Sequence, residues 1–366
     1  MLYGLLFGTC LAIHVADVPV WAEPYGGLHQ VEMKDHGSMT AWHHKLSSKD
    51  FAMVHHIPQD AQISLDMKPS LLISCVGDTG APEVKNALEG IGLRLPPVTN
   101  PAEDNIIASM NTGFVGKLLQ LAGGALSPEL FKRDATLWES VSTNVRSHVV
   151  ASAYALLSKG HESSQDPKDI PWGMKDPVQP WLLPAFDEVF ENHTKYLMVV
   201  RDPRDMLTNS NQNMFMNLGS FHMKSSDPLD FWTRAMTQIM DLYEEDPRFQ
   251  IVRVEDLVMP DPATDESSAR VLACLAEFAG LPPPSPDASR AVLMEMHKHR
   301  GSYMGQHGGL DSDSRAVLEW DVAARLEAQP QLARLMKRLG YHSKHYGRIQ
   351  PQSSRICSGE EILREV

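Results

Sequence analysis

The clearest pattern along the chain is a series of short apolar runs that alternate with longer amphipathic stretches. The apolar runs have the length of buried strands: LLISCV (71–76), IPWGMK (170–175), KYLMVV (195–200) and FQIVRVEDL (249–257). Helical spacing of apolar residues marks the stretches 83–93, 127–160, 180–193, 227–246 and 267–283. Strands that alternate with helices predict an α/β fold, a mostly parallel sheet flanked by helices.

One of these runs ends on an unusual concentration of charge. KYLMVV leads without a spacer into Arg201, Asp202, Pro203, Arg204 and Asp205. In open α/β sheets, ligands bind at the carboxyl ends of the strands. A solvated turn is the alternative interpretation, but two arginines and two aspartates directly after a buried strand favour a ligand site at this edge. Asp205 either orients Arg201 or Arg204 or caps the helix that follows, and the capping role is favoured.

Composition narrows the possible partners. The chain has 366 residues and a net charge of −13, from 33 basic and 46 acidic residues, which argues against a nucleic-acid surface. Its four cysteines, Cys10, Cys75, Cys274 and Cys357, show neither metal-ligand spacing nor the pattern of a disulfide framework. Cys75 lies in a strand pattern and Cys274 in a helical one, so both are expected to be buried thiols.

The N-terminal part differs from the rest. Residues 1–22 contain an apolar run of signal-peptide length, but no basic residue precedes it, so a leader and a disordered or packed arm both stay open. A leader would send the protein to the secretory pathway or an organelle, and an uncleaved one would anchor it to a membrane; otherwise it is cytoplasmic. Residues 23–66 are irregular and rich in histidine, and a polar, mobile segment is favoured over a metal site. Regular structure is predicted for 67–345, followed by a C-terminal tail, 346–366.

Four segments occur in an order that resembles a known family. CVGDTG (75–80), WGMKDP (172–177), VVRDPRDMLTNSNQ (199–212) and RVEDLV (253–258) are similar to motifs of the sulfotransferases that use 3′-phosphoadenosine-5′-phosphosulfate, especially bacterial and algal-type members. The resemblance covers roughly residues 68–345. It implies a P-loop-like sulfotransferase fold and transfer of a sulfuryl group to a hydroxyl or amine of a small-molecule or glycan acceptor. No metal is expected.

The resemblance also implies roles for individual residues. The catalytic candidates are Lys175, which would neutralise the leaving oxygen, and Asp176, a candidate base. For the 5′-phosphosulfate, the strand–loop–helix unit would contribute the residues Gly77, Thr79, Gly80 and Lys85. Contacts to the 3′-phosphate are expected from Arg201, from Asn209 or Ser210 at the family's serine position, and from Arg300 in a predicted flexible loop, 298–309.

One departure from the family pattern leaves a second function open. Asp78 stands where the family commonly has a basic residue, so an acid would face the phosphosulfate. The alternative to an enzyme is therefore a non-catalytic relative that binds a nucleotide or a partner with the same fold. A kinase-like phosphotransferase ranks lower, because neither Walker nor kinase signatures occur in the sequence.

Overall fold

The computed structural model describes part of the chain, and all of the described residues lie in one compact unit that spans residues 62–366. The described ranges are 69–75, 80–96, 171–175, 193–204, 228–258, 266–304, 326–342 and 349–358, with single residues between 142 and 190 and residue 324.

A five-stranded parallel sheet forms the centre of the fold. Its strands are β1 (Leu71–Cys75), β2 (Gly173–Lys175), β3 (Lys195–Val200), β4 (Phe249–Arg253) and β5 (Ile356–Cys357). They are arranged in the order β2-β1-β3-β4-β5, and every neighbouring pair is parallel. Strands in such a sheet are buried on both faces, which explains why β1 and β3 are nearly continuous apolar runs.

Helices cover both faces of this sheet. They are α1 (Ala81–Gly90), α2 (Pro228–Tyr243), α3 (Val254–Val258), α4 (Ser267–Ala279), α5 (Pro286–Met304) and α6 (Pro330–Arg338). Successive strand residues point to opposite faces. Leu72, Tyr196 and Met198 therefore pack with α2 and α6, while Leu71 and Ile73 pack with α1, α4 and α5. The predicted α/β fold with helices on both faces is confirmed.

Helix ends follow the local sequence. Proline opens α2, α5 and α6, where its missing N–H is not needed. Gly280 ends α4 with φ of 75°, a left-handed conformation that suits glycine, and its N–H bonds to the carbonyls of the last turn. The predicted stretch 127–160 is helical at its described residues, as is 180–193 at Leu183, Phe186 and Asp187.

Two predicted elements have different structures. The prediction of a strand from Phe249 to Leu257 is wrong beyond Arg253, because the next five residues turn into α3, where Glu255 and Asp256 bond to neighbouring segments. The prediction of a loop at 298–309 is wrong for its first part, since α5 continues to Met304. Gly301 costs this helix only about 1 kcal/mol, which packing of the preceding turns can offset.

The segment predicted as a C-terminal tail contributes a strand and a disulfide. Ile356 and Cys357 pair with Ile251 and Val252 of β4, and Cys357 is bonded through its sulfur to Cys274 of α4. The expectation that Cys274 is a thiol is therefore wrong, whereas Cys75 is a buried thiol as predicted. No local spacing reveals a pair that is 83 residues apart. Of the helices that the structure describes, none is both long and apolar enough to cross a membrane.

This disulfide should stabilise the fold measurably. Replacing Cys274 and Cys357 together by serine should lower the free energy of unfolding by about 2–4 kcal/mol in urea titrations, because the unfolded chain regains the freedom of a long loop. Addition of a reducing agent to the wild type should produce the same loss and should leave the double variant unchanged. A wild type whose unfolding midpoint does not respond to reduction would contradict this role.

Candidate functional site

The carboxyl ends of three adjacent strands bring two of the predicted site residues, Lys175 and Arg201, to the same edge of the sheet. Lys175 ends β2 opposite Ile73 of β1, and Cys75 ends β1 opposite Val199 of β3. Arg201 follows β3 directly. Since β1 lies between β2 and β3, the half-buried Lys175 and the turn after β3 lie at the same edge of the sheet, on either side of the strand that leads to α1.

Gly80 positions the start of α1 at this edge. Its φ of 86° is left-handed, and its carbonyl accepts hydrogen bonds from the N–H groups of Glu83 and Val84. A Cβ at this position would lie 2.6 Å from Cγ2 of Val254, the first residue of α3. Glycine is therefore required both by conformation and by space. It allows the N-terminus of α1, where backbone N–H groups favour anions, to lie against the end of β4.

The turn after β3 contains its own ion pair. The carboxylate of Asp202 accepts hydrogen bonds from the backbone N–H of Arg204 at 3.0 Å, from its Nε at 2.8 Å and from its Nη2 at 2.5 Å. Both residues are buried, as is Arg201, which is 5% exposed. The helix that follows β3 already begins at Pro203, so Asp202 rather than Asp205 precedes it, and the carboxylate of Asp202 also orients Arg204. Asp205 itself lies outside the described residues.

Glu255 joins this turn to the C-terminal part of the chain. Its Oε1 accepts a hydrogen bond from the backbone N–H of Asp202 at 2.7 Å, and its Oε2 accepts one from the hydroxyl of Tyr341 at 3.0 Å. Burial, and then the negative charge of Glu255, raise the pKa of Tyr341 well above its usual value. Tyr341 therefore remains a neutral donor at any physiological pH. No pattern in the sequence predicts a role for either residue, although Glu255 lies in the RVEDLV segment.

Arg253 is the most deeply buried arginine of this edge, at 1% exposure. Its Nε donates to Asp256 at 2.6 Å, and its Nη1 donates to the carbonyls of Gly340 at 2.8 Å and Ile349 at 3.2 Å. A Cβ at Gly340 would overlap this Nη1, so glycine is needed there too. The RVEDLV segment thus connects the end of β4 and α3 to the chain at Gly340 and Ile349, and it is also one of the segments that carry the family resemblance.

Two further candidate residues, Lys85 and Arg300, lie on helices. Lys85 lies on α1 and pairs with Glu89 at 3.9 Å, one turn further toward the C-terminus of the helix. Arg300 is part of α5 rather than of a loop, and its side chain lies outside the described part of the structure. Also outside the described residues are Gly77, Asp78, Thr79, Asp176, Asn209 and Ser210.

A second ionic cluster lies at the opposite, amino-terminal edge of the sheet. Arg248 donates to Asp187 at 2.6 Å and to Asp246, and the hydroxyl of Tyr196 also bonds to Asp187. Burial alone would raise the pKa of Asp246, but the hydrogen bonds from Arg248 hold it below its ordinary value. This cluster joins the start of β3 to the start of β4, far from the strand ends at which ligands bind in such sheets.

No metal centre is found among the residues that the structure describes, since no three or more His, Cys, Asp or Glu side chains converge there.

Comparisons with known proteins give one distant structural similarity and no match in sequence. No protein-family model matches the chain, and no curated protein matches it in sequence. Among solved structures, the chain is similar to the crystal structure of the sulfotransferase STF1 from Mycobacterium tuberculosis H37Rv, with 13% sequence identity and a TM-score of 0.35. The match covers 67% of this chain and 77% of that one. A likeness of this size carries no argument about chemistry, so function is inferred from the residues of this chain.

The buried pair of Arg253 and Asp256 should be important for stability. Asp256→Ala leaves a guanidinium in the interior without its carboxylate and should lower the free energy of unfolding by about 3–5 kcal/mol. Glu295→Ala is the matched control, because it removes a carboxylate from an ion pair with Lys298 whose side chains are 60% and 66% exposed. That change should cost less than about 1 kcal/mol. Equal losses for the two variants in urea unfolding would contradict the structural role of Asp256.

Proposed function

We propose that this protein is a sulfotransferase that transfers a sulfuryl group from 3′-phosphoadenosine-5′-phosphosulfate to a hydroxyl or amine of a small-molecule or glycan acceptor. The observation that carries the proposal is the placement of Arg201. It is buried directly after β3, at the same edge as Lys175 and beside the strand that leads to α1. A guanidinium, an ammonium and a helix N-terminus at one edge suit a donor with phosphate groups at both ends.

The proposed reaction breaks the bond between sulfur and the bridging oxygen of the donor and forms a bond from sulfur to the acceptor. Negative charge develops on the bridging oxygen, which leaves as part of adenosine 3′,5′-bisphosphate. Catalysis then depends on positioning and on stabilisation of that charge. In this proposal, Lys175 neutralises the leaving oxygen, and Asp176 is the candidate base for the acceptor proton.

The two ends of the donor are assigned to different segments. The 5′-phosphosulfate is held by the loop after β1 and the first turn of α1, with Gly77, Thr79 and Gly80. The 3′-phosphate is held by Arg201, with contributions from Asn209 or Ser210 and from Arg300. Lys85 is a weaker candidate, because its ammonium pairs with Glu89.

A second candidate function has a specific observation in its favour. Asp78 replaces a basic residue in the loop before α1, and the buried Glu83 adds another carboxylate in the first turn of that helix. The negative charges of two acids near a helix N-terminus interact favourably with the helix dipole without any ligand, and they would repel a phosphosulfate. A non-catalytic relative that binds a nucleotide or a partner would tolerate such a loop.

The first test measures recognition of the 3′-phosphate. Arg201→Ala should weaken binding of adenosine 3′,5′-bisphosphate by about 10- to 100-fold in calorimetry, because a charge-assisted hydrogen bond is lost. Binding of adenosine 5′-monophosphate should change by less than about threefold, since that ligand lacks the group that Arg201 binds. Arg290→Ala, which removes the same charge from an exposed position on α5, should affect neither nucleotide. Equal weakening of both nucleotides by Arg201→Ala would contradict the assignment.

The second test measures transfer. The wild type should move labelled sulfate from the donor to at least one member of a panel of hydroxyl and amine acceptors. Lys175→Ala should lower turnover by about 100- to 1,000-fold while donor affinity stays within twofold, because its charge acts mainly in the transition state. A wild type that binds the bisphosphate but transfers nothing, together with an Asp78→Arg variant that gains transfer, would support the non-catalytic alternative instead.

A further inference from the structure

The turn that contains Arg201 is connected to the rest of the protein through one buried carboxylate. Glu255, which is 7% exposed, accepts the N–H of Asp202 through one oxygen and the hydroxyl of Tyr341 through the other. Because both oxygens are engaged, the orientation of the carboxylate is fixed. The bond to Asp202 crosses 53 positions in sequence and ties the turn after β3 to α3.

This bond determines the backbone geometry of Arg201. Val200, the last residue of β3, is held in register with Arg253 of β4. The peptide bond between Arg201 and Asp202 is anchored by the hydrogen bond from the N–H of Asp202 to Glu255. A peptide group is planar, so a fixed N–H of Asp202 also fixes the carbonyl of Arg201. The Cα of Arg201 is therefore constrained on both sides, by the sheet before it and by Glu255 after it.

The orientation of Glu255 depends in turn on the C-terminal part of the chain. Tyr341 follows Gly340, whose carbonyl accepts a hydrogen bond from the guanidinium of Arg253. Arg253 also holds Ile349, which precedes β5. Tyr341 is buried and is thus kept at a fixed position from which its hydroxyl reaches Glu255. The geometry of the turn after β3 therefore depends on Glu255, 53 positions away in the sequence, and through Glu255 on Tyr341.

We propose that Glu255 is a positioning residue for the 3′-phosphate contact of Arg201, and that Tyr341 orients Glu255 for this role. The inference rests on the proposed function, because it requires that Arg201 binds the 3′-phosphate. A positioning role differs from a general contribution to stability. It predicts a loss of affinity that depends on the presence of the 3′-phosphate, whereas a general loss of stability would weaken every nucleotide alike.

The test compares the affinities of adenosine 3′,5′-bisphosphate and adenosine 5′-monophosphate in the full chain. Glu255→Ala should lower the ratio of the affinity for the bisphosphate to the affinity for the monophosphate at least tenfold. Tyr341→Phe should lower this ratio two- to fivefold. Glu255→Gln should keep it within threefold of the wild type, because the amide oxygen still accepts the N–H of Asp202. Tyr196→Phe is the matched control: it removes a partly buried tyrosine–carboxylate hydrogen bond at the opposite edge of the sheet and should leave the ratio unchanged.

The outcomes separate this inference from the proposed function. A wild type without preference for the bisphosphate overturns the proposed function and the positioning role with it. If the wild type prefers the bisphosphate and the Glu255→Ala variant keeps this preference, the positioning role alone is overturned. If Glu255→Ala does not fold, Tyr341→Phe decides. An affinity ratio equal to that of Tyr196→Phe overturns the proposal. A decrease of the affinity ratio in Tyr341→Phe that Glu255→Gln does not show supports it.

Discussion

The buried guanidinium of Arg253 is the interaction on which the carboxyl edge of the sheet depends. A charge in the interior is tolerated only when its donors are satisfied, and Arg253 finds Asp256 in α3 and the carbonyls of Gly340 and Ile349. These contacts tie the end of β4 to α3 and to the chain after α6. They also hold Gly340, which precedes Tyr341, and Ile349, which lies before β5.

Charge balance at this edge has a consequence for ligand binding. Among the buried charged side chains that the structure describes at this edge, the arginines Arg201, Arg204 and Arg253 are accompanied by four carboxylates, those of Glu83, Asp202, Glu255 and Asp256. These groups together carry no excess of positive charge. A phosphate brought to this edge would thus not be attracted by an excess of buried positive charge. Its binding would depend on how accurately the donors of Arg201 are placed and on the field of the α1 N-terminus, which is why the geometry of the turn matters.

The C-terminal part of the chain is an integral element of the sheet and not an appendage. Residues 349–358 supply a carbonyl to Arg253, a strand to the edge of β4 and one cysteine of a disulfide to α4. An edge strand of two residues could not be stable through its hydrogen bonds alone. The covalent link from Cys357 to Cys274 compensates for its shortness, and the buried Ile356 packs it against the face of the sheet that α2 and α6 cover.

The sequence by itself determined the elements that depend on local pattern. The four apolar runs gave the positions of β1 to β4, and the proline and glycine signals placed α2 and α4, because strand burial and helix capping are encoded within a few residues of each element. The placement of Lys175 and Arg201 at one edge also followed from the parallel topology. By contrast, α3, β5, the disulfide and the roles of Glu255, Tyr341 and Asp202 were decided only by the tertiary structure. Glu255 lies 53 residues from Asp202 and 86 residues from Tyr341, and Cys274 lies 83 residues from Cys357, so only the folded chain brings these partners together.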